Sequence, residues 1–412
     1  MSDVRPFRAL RPRPELAARV AAPPYDVISS EEARLMAQDN EISFLHINKP
    51  EIDLPPETDL YDDRVYATGA RNLRRFIAQG VFLREAVPSF YVYQQRMGGH
   101  VQAGIVGAVS CQEYADGLIK RHEFTRPDKE DDRTRHTNEL NANAGPVFLT
   151  YRQRGDLDAL VNAVRSGAPL YDFVAPDGIA HTVWLVAPEQ GDTFKAALAA
   201  VPALYVADGH HRAASAARVG LERKAANPHH RGDEPYNYFL AVLFPHNQLR
   251  IMDYNRVVKG LNGLKPEQFL ARVETKFTIA KTTQPRPDAV HRFGMFLGGA
   301  WHRLEPKAGS FPTSDPVRSL DASILQENLL TPVLGITDPR TDKRIDFVGG
   351  IRGLAELERR VAQGWAVAFA LHPVTLDQLM AVADAGLVMP PKSTWFEPKL
   401  RSGLLVRTLD TW

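Results

Sequence analysis

One cysteine, Cys111, stands in a chain of 412 residues, which excludes an intrachain disulfide and any zinc site built on several thiolates. Long hydrophobic runs are missing too. Nowhere do roughly eighteen apolar residues follow one another, as a membrane-spanning helix requires. Residues Met1 to Leu10 carry Arg5 and Arg8 but no apolar stretch of signal-peptide length. These absences lead us to expect a cytoplasmic protein without a membrane partner. Charge of one sign is also lacking: 50 Lys and Arg face 49 Asp and Glu, a formal net charge of +1, so no global field draws the chain to nucleic acid. Familiar signatures are absent as well. There is no Walker A loop, no Rossmann glycine fingerprint at a strand–helix junction, no Gly-x-Ser-x-Gly elbow and no convincing helix-turn-helix. Nor is there a repeat of solenoid period or a low-complexity tract.

What is present is an ordinary globular composition, with 44% hydrophobic and 24% charged residues over a length that suggests about two or three domains. Ser29 with Glu32 is a capping-box pattern that predicts a helix over residues 30–39. A strand is expected at residues 43–48 and a helix at 62–78. Residues 90–95 and 101–110 read as a hairpin joined by Met97-Gly98-Gly99-His100, with the second strand running on to Tyr114. Strands are expected at 147–151, 204–208 and 236–244, and helices at 129–140, 321–330 and 375–385.

The chemistry gathers in four places. At 204–214 an apolar run breaks at Asp208-Gly209, places His210, His211 and Arg212 in succession and continues as an Ala-rich helix pattern. A strand, a tight turn and a helix N-terminus aim free N–H groups and the positive end of a helix dipole at one spot, where a phosphate is expected. Tyr25 and Asp26 lie in the turn before the first capped helix. The most charged window runs from Ile119 to His136 and includes Lys120, His122, Glu123, Thr125 and Arg126. In a true strand these side chains would alternate between faces, so they share one site only if the segment is irregular. A strand end supplies Asn255 and Arg256 as a candidate ligand rim, and a proline-stiffened loop supplies Lys392, Ser393 and Thr394. His122-Glu123 is no zincin motif, because no second histidine stands four positions after the first.

Four segments together carry a resemblance: Ala-Pro-Pro-Tyr-Asp-Val at 22–27, Lys-Arg-His-Glu-Phe-Thr at 120–125 with Lys-Glu-Asp-Asp-Arg at 129–133, Tyr-Val-Ala-Asp-Gly-His-His-Arg at 205–212 and Met-Pro-Pro-Lys-Ser-Thr at 389–394. In this order they resemble a bacterial domain-of-unknown-function family across essentially the whole chain. The Asp-Gly-His-His-Arg turn alone is also similar to the nucleotide-phosphate turn of the ParB/sulfiredoxin-like fold, which includes kinases of free serine. That resemblance implies an α+β protein with a ParB/sulfiredoxin-like core at about 1–50 and 200–258, a large insertion at about 51–199, and an additional C-terminal α/β region at 259–412.

It also implies a phosphotransferase on a small metabolite, best free L-serine, with a nucleotide or pyrophosphate as donor and Mg²⁺ as cofactor. Gly209, His210, His211 and Arg212 would hold phosphate. Glu123 or Asp208 would take the acceptor proton, and the other would help bind the metal. Two alternatives stand beside it. One is a nucleotide-binding, ParB-like regulatory or nucleic-acid-associated protein, which the balanced charge disfavours. The other is a metal-dependent phosphoester hydrolase using His122, Glu123 and His210 or His211. Each reading that uses both segments requires residues 119–133 and 205–212 to meet in space.

Overall fold

The computed structural model describes residues 2–410 and divides into two compact units, the first running up to Leu249 and resuming at Pro398, the second spanning Arg250–Glu397. It is a mixed α+β protein with one large sheet. Among the described residues no helix is long and apolar enough to cross a membrane.

The large sheet belongs to the first unit. Its strands follow the order Ile119–Lys120, Leu204–Asp208, Val147–Tyr151, Tyr238–Pro245, His100–Ser110, Tyr91–Met97, Ala180–Leu185 and Tyr171–Val174, and Val4–Arg5 adds to the far end of His100–Ser110. The hairpin forms as the Met97-Gly98-Gly99-His100 turn predicts, with Met97 opposite His100. Two neighbouring pairs are parallel: Leu204–Asp208 on Ile119–Lys120, and Tyr238–Pro245 on Val147–Tyr151. One core packs Leu149, Val206 and Leu243 of the sheet with Phe194, Leu198 and Ala213 from helices. A second core joins Val20, Phe44, Leu73, Phe76 and Val406.

Two local readings change. Residues 43–48 form a single helical turn, Leu45–Asn48, rather than a strand. The strand ending at Ser110 does not run on to Tyr114: the Ser110 side chain accepts the Glu113 N–H and starts a helix at Cys111–Ala115. The capped helix forms as expected over Ser30–Ala37, with both hydrogen bonds of its capping box between Ser29 and Glu32.

The second unit is built on a six-stranded antiparallel sheet, in the order Phe277–Lys281, Ala300–Pro306, Phe293–Leu297, Val367–Leu371, Tyr254–Val258 and Ile345–Gly349. Phe269, Phe293, Leu325 and Phe369 fill one core, and Val257, Leu357 and Ala368 belong to another.

Candidate functional site

The strand Leu204–Asp208 ends at Gly209, whose φ of +88° is the left-handed conformation that favours glycine, and the helix His210–Ala226 starts at the next residue. The expected strand, turn and helix are therefore in place. What lies on the turn is the Arg212 side chain. A Cβ on Gly209 would come within 2.9 Å of Arg212 Nε. Gly209→Ala is expected to cost about 1–2 kcal/mol in backbone strain alone and to push the guanidinium aside. A urea unfolding midpoint equal to that of the parent protein would refute this account of the turn.

Arg212 is nearly buried, and its guanidinium connects several groups. It donates to the Pro146 carbonyl at 2.5 Å and to Asp208 Oδ2 at 3.3 Å, and lies 4.0 Å from Asp26 Oδ2. Burial works against its charge, but Asp26 and Asp208 outweigh burial and keep the group protonated. On the other side of Asp208, Lys399 Nζ lies 3.6 Å from Oδ1. Burial pushes the Asp208 carboxyl up, while Lys399 and Arg212 pull it further down, so it stays ionised below the usual carboxylate range. Two carboxylates and two cations thus alternate as Asp26, Arg212, Asp208 and Lys399.

The charged window reaches the same turn. Ile119 and Lys120 pair in parallel with Leu204 and Tyr205, and the chain then leaves the sheet as an irregular segment before the helix Pro127–Leu140. Residues 119–133 and 205–212 therefore meet. Lys120 Nζ sits 5.7 Å from the Tyr205 ring centre. Thr125 donates its hydroxyl to Glu130, and Arg126 pairs with Asp128 through its side chain. The Arg126 backbone N–H donates to His211 Nε2 at 3.0 Å, which fixes that nitrogen as an acceptor. Burial lowers the His211 pKa, the first of several influences on it. His122 and His210 stack edge to face with ring centres 4.6 Å apart. Burial holds both neutral: His122 is lowered to about 4 and His210 well below its ordinary value. Neither is a cationic hook for phosphate at neutral pH.

Beside Arg212 a small recess is lined by Pro24, Tyr25, Asn48, Arg133, His136 and Ser215, among others, with a volume of about 30 Å³. That is room for a water or two. A larger ligand must occupy its mouth or displace side chains. Arg133 covers the Tyr25 ring at 4.1 Å and pairs with Asp132, which also accepts the Tyr66 hydroxyl. Burial pushes the Tyr25 hydroxyl far above its ordinary pKa, so it stays protonated.

Five of the expected site residues belong to the second unit. Asn255 and Arg256 are not an open rim there: both are buried. Asn255 donates to Asp253 and accepts the Leu371 N–H, while Arg256 donates to the Tyr254 and Lys392 carbonyls. Burial lowers the Arg256 pKa to about 10. Lys392 adopts a φ of +57° and holds its ammonium 5.8 Å from the Tyr254 ring centre. Ser393 donates to the Pro390 carbonyl, and Thr394 lies in the same loop. Sequence reasoning missed Lys399 and Arg133. Pro398-Lys399 directly follows the proline-stiffened loop, but only the tertiary structure brings it to Asp208.

The family model described as "Protein of unknown function (DUF1015)" matches residues 4–323, and the chain belongs to that family. No curated protein matches it. Similar solved structures include a free serine kinase variant in complex with AMP and another in complex with ADP, each at 11% identity, covering 74% of this chain and 92% of that one with a TM-score of 0.39. A conserved hypothetical protein from Pyrococcus furiosus is similar at 12% identity, covering 74% of this chain and 95% of that one with a TM-score of 0.36. C-terminally truncated SbnI from Staphylococcus aureus is similar at 13% identity, with 74% and 87% covered and a TM-score of 0.35.

Proposed function

We propose that the chain is a phosphotransferase acting on a small zwitterionic metabolite, with free L-serine as the best acceptor and a nucleotide or pyrophosphate as donor, built around a ParB/sulfiredoxin-like turn. The observation that carries this reading is the alternation of Asp26, Arg212, Asp208 and Lys399. An amino acid offers one ammonium and one carboxylate, and a set with both signs complements both ends. The sequence resemblance of the Asp-Gly-His-His-Arg turn to free-serine kinases supports the same choice.

Phosphoryl transfer needs alignment and charge neutralisation more than a strong base. Asp208, held ionised, suits the role of the carboxylate that orients the acceptor hydroxyl and takes its proton late. Lys399, Lys120 and Arg133 are the cations that would meet donor phosphates. Mg²⁺ would enter with those phosphates. Asp208 fits it poorly as a ligand, because Lys399 and Arg212 already compensate its charge.

The test is incubation of the purified chain with Mg²⁺, each of ATP, ADP and pyrophosphate, and a pool of amino acids, followed by mass spectrometry. Phosphoserine is the expected product, and Asp208→Asn should lower its rate at least ~10²-fold with an unchanged far-ultraviolet circular dichroism spectrum. Absence of a phosphorylated product with every donor overturns the reading. Metal-dependent hydrolysis of a phosphoester would point to the hydrolase instead, and nucleotide binding without transfer to the regulatory protein.

A further inference from the structure

We propose that His122, Glu123 and His210 form a binding site for one divalent transition-metal ion, of the Zn²⁺ or Mn²⁺ class. One ligand-type atom from each of the three lies within 4.8 Å of the others. Donors around a tetrahedral zinc are about 3.3 Å apart at the usual bond lengths, so rotamer adjustments of about an ångström close the set on an ion.

The fold explains how residues so far apart in sequence converge. Ile119–Lys120 and Leu204–Asp208 are parallel neighbours with Lys120 opposite Tyr205. His122 follows its strand by two residues and His210 likewise, so the parallel pairing delivers both rings to the same end of the sheet. Because the segment after Lys120 is irregular, Glu123 need not point away from His122 as the next residue of a strand would.

His210 supplies the observation that an ion pair or packing role does not explain. It is only 5% exposed, yet among the described residues neither Nδ1 nor Nε2 has a hydrogen-bond partner. A buried imidazole with both nitrogens unused is costly, and native structures rarely leave such groups without a compensating contact. A metal ion would supply that contact to one of the two nitrogens. His122 has the orientation typical of a ligand, with a hydrogen bond to the Val206 backbone that fixes the ring. His211 is not part of the set, because its Nε2 already accepts the Arg126 N–H.

Two imidazoles and one carboxylate select for borderline cations and against Mg²⁺ and Ca²⁺, which prefer all-oxygen surroundings. Three protein donors also leave a coordination position for water or a substrate oxygen. The site is independent of the phosphotransferase reading, so it is tested without nucleotide or amino acid.

Full-length protein, stripped with chelator, is titrated with Zn²⁺, Mn²⁺ and Mg²⁺ by calorimetry, and with Co²⁺ by visible absorption. The expected result is one tight equivalent of Zn²⁺, a ligand-field spectrum with Co²⁺, an upward Tm shift with Zn²⁺ and no comparable binding of Mg²⁺. Glu123→Ala, on a half-exposed side chain, and His122→Ala should each weaken Zn²⁺ at least tenfold. His229→Asn, on an exposed loop, controls for surface histidines and should leave Zn²⁺ affinity unchanged. Absence of a stoichiometric site overturns the proposal. So does Zn²⁺ affinity in Glu123→Ala equal to that of the parent chain. If His122→Ala fails to fold, Glu123→Ala and the Co²⁺ spectrum decide.

Discussion

As the pH is lowered from 6.5 to about 4.5, the first unit is expected to lose a large part of its stability, because His136 and His181 are buried in their neutral form. Burial, helped by Arg133, lowers His136 to about 3; burial, helped by Arg401, lowers His181 to about 3. The Ile47 carbonyl, 2.8 Å from the His136 ring, favours the protonated form, but burial and Arg133 outweigh it. His181 is held between the Tyr93 hydroxyl at 2.7 Å and Arg401 Nε at 3.3 Å, so its Nε2 must remain an acceptor.

In the unfolded chain both histidines take up a proton near pH 6.5, while in the folded protein they hold out to about 3. Between those values the unfolded state binds more protons, so stability is full above pH 6.5 and falls as the pH drops. Two such groups give a slope on the order of 2–3 kcal/mol per pH unit, against a total stability of roughly 5–15 kcal/mol for a typical protein. Urea midpoints from pH 7.5 to 4.5 measure it. His181→Gln, folded at pH 7.5, should show a shallower slope. A flat profile across the whole range would show that these rings are solvated or already charged.

Arg212→Ala is expected to be the most damaging single change at the site. It removes a guanidinium that is only 10% exposed from between Asp26 and Asp208 and leaves the Pro146 carbonyl without that donor. Deleting one partner of a buried ion pair costs about 3 kcal/mol or more, and loss of a charge that would position the proposed zwitterionic acceptor is worth ~10²-fold in rate. The variant should therefore unfold at a clearly lower urea concentration and, under the proposed phosphotransferase reading, form phosphoserine at a small fraction of the parent rate. Arg212→Lys keeps the charge but not the planar fork that reaches several oxygens, and should fall between the two. If Arg212→Ala matched the parent in both measurements, the guanidinium would be neither a structural bridge nor part of the site. The stability result does not depend on the proposed function.

Some of this was legible in the sequence. The Ser29–Glu32 capping box, the Met97–His100 hairpin and the Asp208–Gly209 break are local signals, and each forms as local chemistry dictates. The helix at Cys111 had a local signal too: Ser110 with Glu113 three residues later is an N-terminal cap, masked by the long apolar strand before it. Residues 43–48 misled because Phe44, Leu45 and Ile47 are all buried, as in a strand, although the chain makes only one helical turn there. Asn255 and Arg256 misled for a different reason. Polar residues at a strand end read as a ligand rim, whereas here they satisfy buried backbone groups. The approach of Lys399 to Asp208 had no sequence signal at all, because it depends on a contact between distant parts of the chain.

The origin of Lys399 also sets a clock. The first unit is interrupted in sequence by the second, so the whole of Arg250–Glu397 must be synthesised before Pro398 begins the segment that returns to the large unit. In that segment Val406 hydrogen-bonds Leu10 and Arg407–Thr408 pairs with Ala142–Asn143. At usual translation speeds of about 5–20 residues per second, the nascent sheet waits roughly seven to thirty seconds for these strands. Throughout that interval Asp208 lacks its lysine, and a ribosome-bound chain carries an unfinished charge cluster.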